Sequence, residues 1–221
     1  MAVYLWALHL PNSMTSALLD ALAALQRQEQ LLQDLTKKMV APVDGRPGLS
    51  CIDIYSMAIV NRSLALIAGF DGMVRSNNYL GAAHVVRLHL DSLLRYAALW
   101  MVSDPNEFAR SVMNGTNINR LKDKNGVLLR DAHLRDVVAI EYPWVLDVYN
   151  QTSGFVHFSR KHISFSTMVT NQELGEVQHS IARGDRFVQD ESRIEGTEAM
   201  TAISECIGAH LSWWTESKQT P

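Results

Sequence analysis

The hydrophobic and polar positions of the chain alternate in a pattern that predicts long helices. In residues 13–40, leucines recur at helical spacing, and Gln, Glu and Lys fill most positions between them. Ser13 or Thr15 is the expected N-cap of this helix. A second long helix is predicted over residues 191–217, ending in "LSWWTESK".

The most apolar part of the chain lies between these two helices. Residues 51–75 and 79–102 both exceed the usual length of a strand and contain no proline. The dipeptide Asn77-Asn78 between them suits a tight turn. The two segments are therefore predicted to form an antiparallel helical hairpin at the centre of the core.

Shorter elements follow the hairpin. Asp104 and Pro105 open a short helix that Gly115 ends, and "DAHLRDVVAIEY" and "PWVLDVYNQTSGFVH" each indicate another helix. "HISFSTMV" alternates apolar and polar residues, and "EVQHSIARGDRFV" can pair with it, so a small β-hairpin is predicted near 162–188.

These elements define a mainly α fold, a helical bundle around the long antiparallel hairpin. We expect one domain over 1–221, with a core bundle at about 51–165 and flanking helices at 13–40 and 191–217.

Composition places the chain among folded soluble proteins. Hydrophobic residues make up 47% and charged residues 19%. The net charge of −3 provides no global attraction to nucleic acid or an anionic membrane, so such binding requires a local basic patch. Cys51 and Cys206 are isolated in apolar helical segments, which favours two buried free thiols over a disulfide.

The sequence gives no sign of export or of a membrane span. "MAVYLWALHLP" lacks a basic leader and a clear cleavage site, and the apolar segment 79–102 carries Arg87, Asp91 and Arg95. A cytoplasmic protein is expected.

Polar residues inside the apolar helices are the candidate functional groups, because an unpaired polar group is costly to bury. His84, Arg87, Asp91 and Arg95 are spaced i, i+3, i+7 and i+11, which places them in one stripe. Asp91 can pair with Arg87 or Arg95. The stripe either faces solvent or lines a charged cleft.

A second stripe occupies a later helix. Tyr149, Ser153 and His157 are spaced i, i+4 and i+8, and Arg160 joins them if the helix continues. A histidine at a helix end most often interacts with the helix dipole, but its polar neighbours here favour a site. The histidine spacings do not suit zinc, and no cofactor motif occurs, so neither metal nor cofactor is expected.

"RLHLDSLLR" followed by "YPWVLDVYNQTSGFVHFSRKH" resembles uncharacterised bacterial proteins related to the HEPN superfamily, over residues 51–165. The resemblance implies a small helical bundle that often dimerises. Many members are metal-independent ribonucleases of toxin–antitoxin and antiphage systems, and others are non-catalytic interaction modules.

The family's motif is an Arg followed by a His on one helix. His157 stands where that His would fall, but no arginine lies between Asp147 and His157, and Arg87 on another helix is the substitute.

The resemblance implies roles for the residues of both stripes. His157 is the expected acid/base and Arg87 the phosphate clamp, because a guanidinium donates two parallel hydrogen bonds. The supporting roles are orientation of Arg87 by Asp91, a hydrogen bond from Tyr149 or Ser153, and added positive charge from Arg95 or Arg160. The expected partners are RNA, a second copy in a homodimer and a protein such as an antitoxin, with no membrane.

Two alternatives stay open. The same cleft suits a non-catalytic module that binds a protein or a nucleotide-like ligand, and an unrelated helical protein fits the pattern as well.

Overall fold

The computed structural model describes residues 14–41 and 48–218. The described residues form eight α-helices, one short 3₁₀ helix (Ile118–Arg120) and one two-stranded sheet. The helices are α1 (Ser16–Val40), α2 (Cys51–Arg75), α3 (Tyr79–Met101), α4 (Pro105–Met113), α5 (Asp131–Glu141), α6 (Trp144–Val156), α7 (Arg160–Ser166) and α8 (Asp190–Ser217). The strands are β1 (Thr167–Asn171) and β2 (Glu176–His179). The mainly α fold class is confirmed, whereas the single-domain organisation stays a prediction.

Helix α3 is the central element of the bundle. It packs against α2, α8, α6 and α5, and its apolar residues are buried on several sides. The predicted hairpin of α2 and α3 is confirmed. Asn77 has a positive φ of 56°, a conformation that asparagine tolerates better than most residues, and it turns the chain between the two helices.

Side-chain caps fix where these helices begin. Ser50 and Asp53 form a capping box at the start of α2. Asn78 accepts a hydrogen bond from the Gly81 N–H, and the distant Asp185 carboxylate accepts from the N–H groups of Tyr79 and Leu80. Asp185 thereby ties the segment before α8 to the first turn of α3.

The flanking helices α1 and α8 pack side by side. The Thr15 N–H donates to Asp190 at their N-terminal ends, and the Lys218 Nζ donates to the Met39 carbonyl at their C-terminal ends. The two helices are therefore parallel. Thr15 is the N-cap of α1; Ser13 lies outside the described residues, as do the N-terminal stretch and residues 42–47 of the predicted loop.

The small hairpin is present, but the boundary predicted for its first strand is wrong. The strand was predicted from His162, whereas residues Arg160–Ser166 form α7 and β1 begins at Thr167. Ser159 explains the helix, because its hydroxyl accepts from the Lys161 N–H and its own N–H donates to the His162 ring. This cap outweighs the alternating pattern.

Among the described residues, α2 alone is long and apolar enough to span a membrane, with 44% of its most apolar window buried. It packs against α3, α1 and α4, and core helices of soluble proteins meet the same criterion. Cys51 and Cys206 are both free; Cys206 is buried and Cys51 half-buried.

Candidate functional site

The polar stripe of α3 lies between α2 on one side and α5 and α6 on the other, where it forms an arginine cluster. We use this name for Arg62, Arg87 and Arg95 together with Asp91 and Asp131. The Asp91 carboxylate accepts hydrogen bonds from Arg62 Nη1 at 3.1 Å and from Arg95 Nε at 3.0 Å. Arg95 also pairs with Asp131, the first residue of α5. The predicted charged cleft is therefore a network of ion pairs that links three helices.

Arg87 occupies the α6 side of this cluster. Its guanidinium carbon lies 4.0 Å from the centre of the Tyr149 ring, and its Nη2 lies 3.8 Å from Asp131. A guanidinium over an aromatic face is attracted by the ring quadrupole. Arg135 reaches the same ring at 5.0 Å and is paired with Asp136.

The cluster has spare hydrogen-bond donors and excess positive charge. The Nη1 atoms of Arg87 and Arg95 are buried and have no partner among the described residues. Burial disfavours the charge on Arg95, but Asp91 and Asp131 outweigh it and raise the pKa of Arg95 above its usual value. Three guanidinium groups share two carboxylates, so an anion could meet unpaired N–H groups here.

One predicted role within the cluster is wrong. Asp91 was expected to orient Arg87, but both of its oxygens are taken by Arg62 and Arg95. Asp131 contacts Arg87 instead, and it was not among the predicted site residues. In the sequence, Asp131 looks like an ordinary acidic residue that interacts with the dipole at the start of a short helix. Spacing along the chain does not show that α5 crosses α3 at this point.

The remaining predicted residues are not joined to the cluster. His157 is the exposed C-cap of α6, and its side chain makes no hydrogen bond, ion pair or ring contact with any described residue. It lies eight residues from Tyr149, about 12 Å along the direction of the helix axis. The Ser153 hydroxyl donates to the Tyr149 carbonyl at 2.7 Å. Arg160 opens α7 rather than continuing α6, and its side chain is exposed. The catalytic role of His157 stays a prediction, and no contact with Arg87 supports it.

Two other imidazoles lie next to each other, one of them on the same helix as Arg87. His84 is one helical turn before Arg87, and its ring centre lies 6.4 Å from that of His162. We call His84 and His162 the histidine pair. Both side chains are half-buried.

Hydrogen bonds assign opposite tautomers to the neutral forms of the pair. His84 Nδ1 lies 2.8 Å from the Leu80 carbonyl, which can only accept, so Nδ1 carries the proton and Nε2 keeps its lone pair. His162 Nδ1 accepts the Ser159 N–H at 3.1 Å, so its Nε2 carries the proton. One ring therefore offers an acceptor and the other a donor.

An exposed aromatic ring borders the histidine pair. Phe158 stacks on His162 with ring centres 5.3 Å apart, and 83% of its surface is exposed. Such a ring is a platform on which a nucleic-acid base can stack. From the sequence, His84 was expected in the α3 stripe without a role, and His162 was expected in a strand. The Ser-x-x-His spacing at 159–162 was the available signal for its fixed orientation.

A separate apolar groove runs between α6 and α8, with a volume of about 320 Å³. Tyr79, Val86, Trp144 and Phe155 line it together with the small residues of α8. Among the described residues, no three His, Cys, Asp or Glu side chains are grouped so that they could hold a metal ion.

No protein-family model, curated protein or solved structure matches the chain.

Proposed function

We propose that this HEPN-like protein binds RNA at the arginine cluster and cleaves it at the histidine pair without a metal ion. The observation that supports it best is the complementary tautomers of His84 and His162, together with the position of His84 one helical turn from Arg87, whose Nη1 has no partner among the described residues.

The arginine cluster would hold a phosphate of the RNA backbone. Asp131 has 44% of its side chain exposed, so a phosphate can replace its carboxylate on Arg87 and Arg95. Arg87 is held on the Tyr149 ring and loses little conformational freedom on binding. Phe158 would stack a neighbouring base.

The histidine pair would act at the bond that is cleaved. His84 Nε2 accepts the proton of the ribose 2′-hydroxyl, and the 2′-oxygen bonds to phosphorus. The Nε2–H of His162 and the Arg87 guanidinium donate to the charged phosphate oxygens. The bond from phosphorus to the 5′-oxygen breaks, that oxygen takes a proton from water, and His84 returns its proton to solvent. The products are a 2′,3′-cyclic phosphate and a 5′-hydroxyl.

This assignment differs from the sequence-based one at the acid/base residue. His84 replaces His157 because His84 lies on the same helix as Arg87, whereas His157 points into solvent beyond the end of α6. Cytoplasmic action in a toxin or defence system, with an antitoxin-like protein partner, is part of the same proposal and rests on the resemblance.

Cleavage of mixed RNA in EDTA tests the proposal. We expect the wild type to release 2′,3′-cyclic phosphate ends, and His84→Gln and His162→Gln to lower the rate by at least about 100-fold. His157→Gln is the matched control and should retain cleavage within about threefold. Cleavage lost in the His157 variant but kept in the His84 variant would restore the sequence-based assignment. If the wild type cleaves neither structured nor unstructured RNA, the catalytic part of the proposal is wrong.

A non-catalytic binding module is the second candidate function. It is favoured by the ion pairs themselves, because Asp91 and Asp131 already neutralise much of the cluster and connect α2, α3 and α5. RNA binding that depends on Arg87 without any cleavage would identify this function.

A further inference from the structure

The β-hairpin exposes apolar side chains that no described part of the chain covers. Val169 and Val177 lie opposite each other on one face, with 62% and 54% of their surfaces exposed. Leu174 and Ile181 beside them are 71% and 84% exposed. Within residues 14–41 and 48–218 the strands pack chiefly on each other and on α7. A lone two-stranded hairpin is only marginally stable in water, so this arrangement favours a partner.

The two edges of the hairpin differ in regularity. The register shifts between Val169 and Asn171, which leaves Thr170 as an extra residue on β1. A bulge of this kind disrupts and twists its strand and so protects the edge from pairing. No such shift interrupts β2, whose outer edge is regular.

The outer edge of β2 also presents backbone groups that no described residue pairs with. The Ser180 N–H donates to the Ser166 carbonyl at 2.8 Å. Along an antiparallel ladder, hydrogen-bonded pairs alternate with pairs that are not hydrogen-bonded. Because Ser166 and Ser180 are hydrogen-bonded, Met168 and Gln178 form the next hydrogen-bonded pair. Val177 and His179 belong to the pairs in between, so their backbone groups do not bond to β1. The N–H and C=O groups of Val177 and His179 therefore point away from β1.

We propose that β2 pairs antiparallel with β2 of a second copy, about a two-fold axis at Val177. The two copies of Val177 would exchange both backbone hydrogen bonds and join the hairpins into a four-stranded sheet. One face of this sheet would carry a continuous row of four valines, the two copies of Val169 and Val177. The edge that is open in one chain is thereby closed by an identical edge.

The charges around β2 are complementary in this arrangement. Glu173 and Glu176 precede Val177, whereas Arg183 follows it. A two-fold axis at Val177 lays the acidic half of one copy against the basic half of the other. It also brings Leu174 near Ile181 of the second copy, which covers two of the most exposed apolar side chains.

Self-association of the full chain tests this interface, independently of any activity on RNA. We expect sedimentation velocity to show a concentration-dependent dimer of the wild type up to about 100 µM, in the affinity range of small interfaces. Val177→Pro removes the outward N–H but no bond to β1, so it should weaken dimerisation by at least about tenfold. Val177→Thr is the matched control, since it keeps the N–H and the β-branched shape, and it should stay within about threefold.

Cross-linking provides a second measurement that does not depend on proline being tolerated. Val177→Cys should form an intermolecular disulfide under mild oxidation, because the two copies of residue 177 lie directly opposite each other. Val169→Cys should not, since two further strand spacings of about 4.8 Å separate its copies. A wild type that is monomeric at every concentration overturns the proposal. So does a dimer that Val177→Pro leaves unchanged, or cross-linking at residue 169 in preference to 177.

Discussion

His89 shows how one buried side chain links this fold to pH. It lies on α3 facing α8, is fully buried, and its Nε2 donates to the Ser204 hydroxyl at 2.9 Å. Ser204 donates its own proton to the Met200 carbonyl, so the ring is held neutral with Nδ1 unpaired. Burial, with a smaller contribution from the charge of Arg62, lowers the pKa of His89 to about 3.

The pKa of His89 predicts a loss of stability on acidification. In the unfolded chain His89 binds a proton below about pH 6.5, whereas in the folded chain it stays neutral there. The contribution of His89 to stability is therefore complete above pH 6.5 and decreases as the pH is lowered further. We expect His89 to contribute a decrease of about 2 kcal/mol in the free energy of unfolding between pH 7.5 and pH 5. Burial also lowers the pKa of His210, which adds in the same direction.

Urea denaturation across this pH range measures the effect. His89→Leu removes the titrating group while Ser204 keeps its bond to Met200. The variant should show a flatter dependence of unfolding free energy on pH than the wild type. An equal slope in both proteins would contradict the assignment of the buried neutral ring.

Residue spacing predicted part of the site and missed the rest for a physical reason. Arg87, Asp91 and Arg95 lie together because spacing along one helix determines a common face. Tyr149 joins them across two helices, as the second polar stripe indicated. Asp131 could not be found in this way, because the crossing of α5 over α3 depends on tertiary packing.

At the scale of elements, Asp53 joins the start of α2 to the end of α8. Its carboxylate is buried and accepts from the Ser50 N–H, the Trp214 indole N–H and Lys218 Nζ. Burial raises the pKa of Asp53, but these hydrogen bonds outweigh burial and hold it below its usual value.

Removing this charge should destabilise the bundle. Asp53→Asn removes the buried carboxylate that pairs with Lys218 and should cost about 2–4 kcal/mol of unfolding free energy. Asp34→Asn is the matched control, because Asp34 pairs with Lys37 at an exposed position and should change stability much less. Chemical denaturation at pH 7 compares them; equal effects of the two substitutions would contradict the role of Asp53.

Gly196 allows a close approach between α8 and α3. A Cβ atom at this position would lie 2.5 Å from the Tyr79 hydroxyl and 3.0 Å from its ring. Gly196→Ala should therefore destabilise by about 1–3 kcal/mol despite the better helix propensity of alanine. Gly208→Ala on the same helix meets only ordinary contacts at 3.7 Å and should be neutral or stabilising.

Thermal unfolding of the two alanine variants measures this difference. Adding Tyr79→Phe to Gly196→Ala should recover part of the loss, since it removes the atom that clashes. If the Gly196→Ala protein is as stable as the Gly208→Ala protein, α3 and α8 can move apart enough to accommodate the added methyl group.

Several element boundaries followed a cap or a turn residue in the sequence. Thr15, Ser50 and Asp104 are the N-caps of α1, α2 and α4. The boundary at α7 failed because an alternating pattern of eight residues is too short to exclude a short helix at its start. Only the cap at Ser159 distinguishes the two, and its partner is a histidine ring instead of the usual Glu or Gln.

At the scale of the whole molecule, α3 is both the centre of the core and the floor of the candidate site. Its buried positions pack against α2, α6 and α8, while its charged stripe meets α2 and α5. The central hairpin was predictable from its apolar composition. The parallel packing of α1 on α8 was not, because an apolar helical face does not specify which other helix will cover it.

The central claim is that Arg87 holds an RNA phosphate, and binding of an uncleavable 2′-O-methyl RNA tests it most directly. Fluorescence anisotropy should show saturable binding by the wild type that weakens by at least about tenfold in Arg87→Gln, since a guanidinium on phosphate is a charge-assisted bond. Arg120→Gln, at an exposed position that is not part of the arginine cluster, should bind within about twofold of the wild type. Equal binding by the Arg87→Gln protein, or no binding by the wild type, would contradict the account.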